Sequence, residues 1–253
     1  MKNEQTQWDN VSRWYDEYLK GDDTYQAKVI APNLLRMLDP KEGERVLDVA
    51  SGQGYFSRLI AKSGAMVVGV DASKELVEVA ARQASVNESY RVGDAQALPA
   101  MKLGSFDAVF SVLAFENIKN IPKVLEGMND CLKKEGKAVV VLLHPAFRIP
   151  QHSDWGYDMK KGVQYRKTEK YLSEVSIPIE LSPFRGAKKI TTTTFHRSLQ
   201  WYAKAFRNAG FAITNLEEWI SHKKSEAGPR QSAEDTARKE IPMFLAIELR
   251  AFN

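Results

Sequence analysis

A short segment near position 50 combines one acidic residue with closely spaced small residues. It reads Val46-Leu-Asp-Val-Ala-Ser-Gly-Gln-Gly-Tyr55, with Asp48 six residues before Gly54. A glycine-rich turn between a strand and a helix lets the backbone approach a ligand closely, beside the helix N-terminus. The dinucleotide fingerprint G-x-G-x-x-G needs a third glycine, but here Tyr55, Phe56 and Ser57 follow Gly54. The acid and the missing glycine favour a ligand with an amino group and no phosphate.

The segments around this turn alternate between strand-like and helix-like patterns. The predicted strands are 45–50, 66–71, 89–92, 106–111 and 136–143, and the predicted helices are 55–62, 74–84 and 121–134. Such repeats predict a doubly wound parallel sheet, which binds ligands at the carboxyl ends of its strands where the strand order reverses. After position 144 the pattern breaks, and it resumes with a helix at 199–208 and strands at 211–220 and 244–252. The polar segment 221–240 between these strands is predicted to be a mobile loop.

Five short motifs follow one another between Arg45 and His144. They are Asp48-Val-Ala-Ser-Gly-Gln-Gly54, Asp71, Gly93-Asp-Ala95, Phe106-Asp-Ala-Val-Phe-Ser111 and Leu132-Lys-Lys-Glu-Gly136. In this order and spacing they resemble the motifs of class I S-adenosylmethionine-dependent methyltransferases, whose first motif is (D/E)-x-G-x-G-x-G. Ala50 replaces the first glycine, and Glu135 and Lys137 depart from the family's L-(K/R)-P-G-G turn. The resemblance implies an α/β, doubly wound, seven-stranded, mostly parallel sheet of the Rossmann-like methyltransferase type.

The same resemblance implies S-adenosyl-L-methionine as the cofactor. Asp71 matches the acid that binds both ribose hydroxyls in the family, as a carboxylate can, and Asp94 matches the residue that contacts the adenine amino group. Each has a plainer interpretation, Asp71 as an acid ahead of the helix cap Ser73 and Asp94 as a turn residue before Pro99. The predicted cofactor-binding residues are Asp48, Ala50, Ser51, Gly52, Gly54, Asp71, Ala72, Asp94, Ala95, Ser111 and Val112.

Methyl transfer from a sulfonium is an in-line displacement, so positioning and desolvation supply much of the catalysis, with a base where the nucleophile carries a proton. Residues just after the fourth and fifth strands should face the methyl group. His144 is the first catalytic candidate, followed by Glu116. A histidine satisfied by the local backbone is the alternative. Tyr15, on a predicted N-terminal helix with Trp8, is the third candidate, through a cation–π contact with the sulfonium.

The segment from Ala146 to His196 is predicted to recognise the substrate. It contains nine basic and five acidic residues, which indicates either a basic rim for an anionic substrate or a solvated face. Strand-like runs at 171–181 and 188–195 predict a hairpin that forms a lid. Aromatic residues there could stack on a substrate or merely pack the lid onto the domain. The predicted substrate-binding residues are Phe115, Asn117, Trp155, Tyr165, Arg166 and His196.

These elements predict a single domain in four parts. Residues 1–40 form an N-terminal helical cap, 41–145 the cofactor-binding core, 146–196 the inserted lid and 197–253 the completion of the core sheet. No basic leader precedes an apolar run, and the longest aliphatic run, 138–143, is far too short to span a membrane. The protein is therefore expected to be cytoplasmic, without membrane contact. The lone Cys131 is expected to be a small core residue.

The sequence as a whole predicts an S-adenosylmethionine-dependent methyltransferase that acts on a small molecule, with an aromatic or anionic acceptor. No metal-ligand spacing is present, and the oligomeric state is open. Ser111-Val-Leu-Ala-Phe115 stands where amino-directed nucleic-acid methyltransferases carry (N/D/S)-P-P-(Y/F), and the formal charge of +4 is too small to indicate nucleic acid. The alternatives are a tRNA-modifying methyltransferase, a non-methylating S-adenosylmethionine-binding protein and, more distantly, a nicotinamide-dependent reductase.

Overall fold

A computed structural model of the chain describes residues 21, 23–181 and 190–252. The strands in this part of the chain are β1 (Arg45–Val49), β2 (Met66–Asp71), β3 (Glu88–Val92), β4 (Phe106–Val112), β5 (Leu132–Leu143), β6 (Ser153–Asp158), β7 (Val163–Thr168), β8 (Val175–Leu181), β9 (Ile190–His196), β10 (Phe211–Trp219) and β11 (Phe244–Ala251). The α-helices are α1 (Ala31–Leu38), α2 (Tyr55–Ala61), α3 (Lys74–Arg82), α4 (Ile121–Cys131), α5 (Leu199–Asn208) and α6 (Gln231–Glu240). A π-helical turn, Gln26–Ile30, leads into α1, and 3₁₀ turns cover Ala95–Met101 and Phe115–Asn117.

Seven strands form one sheet in the order β10-β11-β5-β4-β1-β2-β3. The pairs β1–β2, β1–β4, β2–β3 and β4–β5 are parallel, whereas β11 is antiparallel to both β5 and β10. The predicted doubly wound, mostly parallel sheet is therefore confirmed. Because the strand order reverses beside β1, a crevice opens at the carboxyl ends of β1 and β4.

Two apolar layers cover the faces of this sheet. Alternate residues of β1 point to opposite faces, as the pleat of a strand requires. Leu47 belongs to the layer that contains α4 and α5, while Val46 belongs to the layer that contains α1 and α2. Cys131 is buried in the first layer, as predicted.

Two sequence predictions about element boundaries were wrong. The helix predicted at 121–134 ends at Cys131, because Leu132 is extended and begins β5. The loop predicted at 221–240 contains α6. Ala237 is the one residue of α6 that is buried, so no apolar stripe signalled this helix. Polar contacts hold it instead, since Asp235 Oδ1 accepts from the Ser225 amide at 2.8 Å and Arg238 Nε donates to Ser225 Oγ at 3.0 Å.

Two antiparallel hairpins follow β5. The pairing of β8 with β9 matches the hairpin predicted from the sequence, although its turn lies outside the described residues. The hairpin of β6 and β7 was not predicted. Thr194 Oγ1 of β9 donates to the Glu116 carbonyl at 3.1 Å, which ties the second hairpin to the turn after β4. The lid role of these hairpins and the four-part division of the chain stay predictions.

Most of the predicted N-terminal cap, including Trp8 and Tyr15, also lies outside the described residues. Within the described part of the chain, none of the helices has the length and apolar composition needed to cross a bilayer.

The turn after β1 has an unusual backbone. Ala50, Gly52 and Gly54 all have positive φ angles, of 61°, 54° and 77°. Glycine adopts this left-handed region without steric cost, whereas a residue with a Cβ is disfavoured there by about 1–2 kcal/mol. The alanine that departs from the family motif therefore keeps the glycine-like backbone and is strained.

We expect Ala50→Gly to raise the free energy of unfolding by about 1 kcal/mol, because relief of the left-handed strain exceeds the gain in unfolded-state entropy. Urea denaturation measures this change. Ala61→Gly is the control, since Ala61 is buried in α2 with ordinary helical geometry and its replacement should destabilise by about 1 kcal/mol. Destabilisation by both variants would contradict the assignment of strain to Ala50.

Candidate functional site

A cleft lies at the carboxyl ends of β1, β2 and β4. Its cavity volume is about 150 Å³. The predicted site residues that line it are Asp48, Ala50, Ser51, Gly52, Asp71, Ala72, Asp94, Ala95, Val112 and Asn117. Further lining residues, which were not predicted, are Gln53, Tyr55, Phe56, Val70, Leu76, Gly93, Leu113, Ala114 and Ile118.

The turn after β1 is fastened to the end of β2. The Ser51 amide donates to the Val70 carbonyl at 3.0 Å, and the Gly52 amide donates to Asp71 Oδ2 at 2.8 Å. Asp71 Oδ1 accepts from the Ser73 amide at 2.9 Å. Ser73 caps α3 through its own hydroxyl, as predicted. Asp71 stands ahead of this cap, as in its plainer interpretation, and the two amides hold its carboxylate at the cleft wall.

Asp48 is buried at the base of the cleft. Its side chain accepts a 2.6 Å hydrogen bond from Ser57 Oγ, and the residue is only 3% exposed. Burial raises the pKa of Asp48 to about 7, the Ser57 hydrogen bond opposes this, and the charge of Asp71 raises the pKa further. A ligand with a positive charge would stabilise the ionised form of Asp48 in this position.

Two other polar groups of the same turn have no partner. Among the described residues, no atom hydrogen-bonds to the buried Ser51 Oγ or Gln53 Oε1, and both side chains line the cleft. Buried polar atoms are nearly always paired in native proteins. These atoms therefore fit a ligand with hydrogen-bonding groups of its own. Gln53 was missed in the sequence, although it stands between the two glycines of the motif.

The two motif glycines have different roles. A Cβ on Gly52 would meet nothing within 4 Å, so this position leaves the cleft open. A Cβ on Gly54 would lie 2.3 Å from Tyr90 Oη. Tyr90 of β3 reaches behind the turn and donates to Glu88 Oε2 at 2.6 Å. Gly54 was predicted to bind the cofactor, but it does not line the cleft and makes room for Tyr90 instead.

Asp94 stands at the rim of the cleft, on the turn after β3. Its Oδ1 accepts from the Gln96 amide at 2.9 Å, so it caps the 3₁₀ turn Ala95–Met101. The interpretation of Asp94 as a turn residue is therefore confirmed. Both oxygens of Asp94 also accept from the Gln96 side-chain amide at 3.1 Å, and the residue is exposed and lines the cleft.

The residues at the end of β4 divide between the cleft and the core. Val112 and Asn117 line the cleft. Ser111 does not, because its hydroxyl is buried and donates to the Val49 carbonyl of β1 at 2.8 Å. Phe115 is fully buried in an apolar layer and does not line the cleft, which argues against its predicted substrate role.

His144, the first catalytic candidate, is placed outside the cleft. It is 2% exposed, its Nε2 lies 2.7 Å from Glu218 Oε1, and its Nδ1 accepts from the Ala146 amide at 3.2 Å. An Nδ1 acceptor fixes the tautomer with hydrogen on Nε2, and burial lowers the pKa of the ring despite Glu218. The geometry supports the alternative of a histidine satisfied locally. Tyr15 lies outside the described residues.

Glu116 faces a second, smaller pocket. Its Oε1 accepts from the Leu143 amide at 3.3 Å, and its Oε2 is buried without a partner among the described residues. Burial raises the pKa of Glu116 to about 7. The pocket has a cavity volume of about 30 Å³ and is lined by Glu116, Leu142, Leu143, Pro145, Arg148, Pro150, Thr194, Phe195, His196, Arg197 and Tyr202.

Three of the predicted substrate residues have other partners. Arg166 donates to the Phe147 and Ser153 carbonyls at 2.8 and 3.2 Å and stacks on Trp155, with 5.1 Å from its guanidinium carbon to the ring centroid. Tyr165 covers Gly156 on the opposite strand. None of these residues lines the cleft. The alternative of a satellite core thus describes Trp155 and Arg166 better than substrate contact does, whereas Tyr165 is 48% exposed.

Comparisons with known proteins agree with this geometry. Residues 47–140 match a family described as a methyltransferase domain. A ubiquinone biosynthesis O-methyltransferase of Xanthomonas axonopodis pv. citri is 33% identical over 143 residues, which cover 53% of this chain and 57% of that protein. The chain thus spans just over half the length of this curated relative.

Solved structures extend the likeness to the whole fold. The CcbJ methyltransferase of Streptomyces caelestis has a TM-score of 0.69 at 17% identity, covering 99% of this chain and 100% of its own. An S-adenosylmethionine-dependent methyltransferase of Mesorhizobium loti has a TM-score of 0.66 at 24% identity, covering 90% and 99%. The chain thus has the fold of these S-adenosylmethionine-dependent methyltransferases, and residues 47–140 are similar to a methyltransferase domain. The resemblance and the fold predicted from the five motifs are confirmed.

A pair of alanine substitutions tests the roles assigned to Gly52 and Gly54. Gly54→Ala should lower the free energy of unfolding by about 2–4 kcal/mol, because left-handed strain adds to a clash with Tyr90. Gly52→Ala should cost only the strain, about 1–2 kcal/mol. Thermal and urea unfolding measure both. Equal losses would contradict the role assigned to Tyr90.

Asp48 predicts a pH-dependent stability. Because the pKa of Asp48 is higher in the folded than in the unfolded protein, its contribution is full below pH 4 and is lost as the pH rises towards 7. The unfolding free energy of the parent protein relative to Asp48→Asn should therefore fall by up to about 4 kcal/mol across this range.

Asp107→Asn is the control for this measurement. Partial burial raises the pKa of Asp107, but hydrogen bonds from Lys133 and the Arg45 amide lower it overall. The parent should therefore gain stability relative to Asp107→Asn as the pH rises through the acidic range. A slope of this same sign for Asp48 would contradict a protonated Asp48 in the folded domain.

Proposed function

We propose that the chain is an S-adenosylmethionine-dependent methyltransferase that transfers a methyl group to a small-molecule acceptor. The observation that carries the proposal is the turn after β1, where Ser51 Oγ and Gln53 Oε1 are buried without partners beside the fixed carboxylate of Asp71. This donor and acceptor set fits a nucleoside joined to an amino acid. When bound, S-adenosylmethionine would supply an activated methyl group on a sulfonium.

Three acidic residues would each contact a different part of the cofactor. Asp71, whose carboxylate the Gly52 and Ser73 amides hold at the cleft wall, would accept hydrogen bonds from the ribose hydroxyls. Asp94 at the rim would accept from the adenine amino group. Asp48 and the Gln53 side-chain oxygen would face the amino-acid end, where an ammonium favours the charged form of Asp48.

The acceptor would enter beside the turn after β4. Asn117 lines the cleft, and the adjacent Glu116 faces the second pocket, so this turn lies between the two spaces. His144 has both nitrogens occupied by protein groups, so it does not act as a base in this proposal. The acceptor, the cytoplasmic location and the absence of nucleic-acid and membrane partners stay predictions from the sequence.

Calorimetric titration with S-adenosylmethionine and S-adenosylhomocysteine tests cofactor binding. Asp71→Asn should weaken both by about tenfold to a hundredfold, because a charge-assisted pair of hydrogen bonds contributes about 1.5–3 kcal/mol. Asp107→Asn is the matched control, since Asp107 lies at the opposite end of β4 and bonds to Lys133 and Arg45. Its affinity should be that of the parent protein.

A second measurement tests transfer. Release of S-adenosylhomocysteine in the presence of pooled small aromatic and acidic acceptors would support the enzyme. Cofactor binding without release from any pool would favour the non-methylating alternative, and release with tRNA alone, with a steep salt dependence, would favour the tRNA-modifying one. Tight binding of NADH without binding of S-adenosylmethionine would overturn the proposal.

A further inference from the structure

Arg148 is a half-buried cation without an anionic partner. No carboxylate among the described residues lies within 4.0 Å of its guanidinium. Its Nε is buried with no hydrogen-bond acceptor in the described part of the chain. Buried charges in proteins are almost always paired. The missing partner therefore has to be explained.

The surroundings of Arg148 hold it in place without neutralising it. Its guanidinium carbon lies 5.4 Å from the ring centroid of Trp155, on which Arg166 also stacks. Burial lowers the pKa of Arg148 to about 10, and the charge of Arg166 lowers it further. The group is still a cation at neutral pH, and the neighbouring charges add to the positive potential rather than cancelling it.

Arg148 lines the second pocket, which contains another buried polar atom without a hydrogen-bond partner among the described residues. Glu116 Oε2 is buried there without a partner among the described residues. Arg197, by contrast, donates to the carbonyls of Phe115, Ile118 and Lys119 at 2.7–3.1 Å, so it braces the turn after β4. Arg148 Nε and Glu116 Oε2 are thus the side-chain atoms of the pocket's lining that are buried without a partner among the described residues.

The size of the pocket limits what can enter. A cavity volume of about 30 Å³ has room for about two water molecules, or for the oxygens of one carboxylate or phosphate. The remaining lining includes Leu142, Pro145, Pro150 and Phe195. The polar side of the lining, with Thr194, His196 and Tyr202 beside Arg148 and Glu116, suits the anionic end of a molecule whose apolar body stays outside.

We propose that this pocket binds the anionic group, a carboxylate or a phosphate, of the methyl acceptor. The inference builds on the proposed function, since it names the substrate class of the same domain. Arg148 donates from Nε and a terminal nitrogen to the anion, as guanidinium groups do in bidentate pairs. Glu116, in its protonated form, donates from Oε2 to the same group. Arg148 thus takes the role that the sequence assigned to Arg166.

Benzoate, phenyl phosphate and the neutral isostere benzamide are the probes. Each is titrated into the full chain saturated with S-adenosylhomocysteine, with affinity measured by calorimetry and saturation-transfer NMR. Benzoate or phenyl phosphate should bind at least about tenfold more tightly than benzamide. The stronger of the two identifies a carboxylate or a phosphate as the group.

Variants locate the binding. Arg148→Gln should weaken the favoured anion by about tenfold to a hundredfold and leave benzamide unchanged, while Arg148→Lys should retain part of the affinity. Lys161→Gln is the matched control, because Lys161 is an exposed cation on the turn between β6 and β7. Its anion affinity should be that of the parent protein.

A spectroscopic signal separates contact from structural support. The buried Nε–H of Arg148 should give a side-chain ¹H–¹⁵N resonance, assigned by its loss in Arg148→Lys. The favoured anion should shift this resonance, and benzamide should not. An unmoved resonance, or anion binding that survives Arg148→Gln, would overturn the inference.

The same samples separate this inference from the proposed function. Binding of S-adenosylmethionine without preference for either anion over benzamide would overturn the anion pocket alone. Failure of S-adenosylmethionine to bind would overturn the proposed function. Loss of cofactor binding in Arg148→Gln would place Arg148 in the cofactor site and also contradict the inference.

Discussion

The site depends on two hydrogen bonds that fasten the turn after β1 to the end of β2. The Ser51 amide bonds to the Val70 carbonyl and the Gly52 amide to the Asp71 carboxylate. Both are made by the turn whose left-handed backbone begins at Ala50. The result is a cleft whose charged wall is preorganised, because the Asp71 side chain needs no rearrangement to receive a ligand.

The preorganised site contains buried polar groups that have no hydrogen-bond partner in the described part of the chain. Asp48 has a raised pKa, and the buried oxygens of Ser51 and Gln53 are without partners in the described chain. Arg148 and Glu116 repeat the pattern in the second pocket. Each group lowers the stability of the ligand-free fold, and each would regain that free energy from a complementary ligand. Two such places, one on either side of the turn after β4, suit a reaction between two molecules.

The sequence predicted the sheet and the cofactor cleft well because both follow from local patterns. Buried strands are continuous apolar runs, and the acids at their ends stand at fixed offsets from them. Ser111, Phe115 and Gly54 were misassigned because a linear motif does not say which side of the backbone a side chain occupies. Arg148 was not singled out because the sequence does not report that its Nε is buried without a partner in the described part of the chain.

The predicted loop at 221–240 failed for a related reason. The helix α6 is held by polar contacts between Ser225 and Asp235 or Arg238, and it presents no apolar stripe. His144 was predicted to be catalytic because it stands at the end of a strand. Its second partner, Glu218, is on β10, distant in the sequence. Contacts between such distant positions are set by topology, which single-residue patterns do not report.

The position of β11 has a consequence for synthesis on the ribosome. This strand lies between β5 and β10, so it fills a gap inside the sheet rather than extending an edge. Until residues 244–251 emerge, the apolar strand β5 keeps one row of backbone donors and acceptors open. Pairing across about a hundred residues is slow, and an open strand edge invites association with other chains. The nascent protein therefore passes through a stage in which its cofactor-binding half has been synthesised while β5 still lacks its neighbour β11.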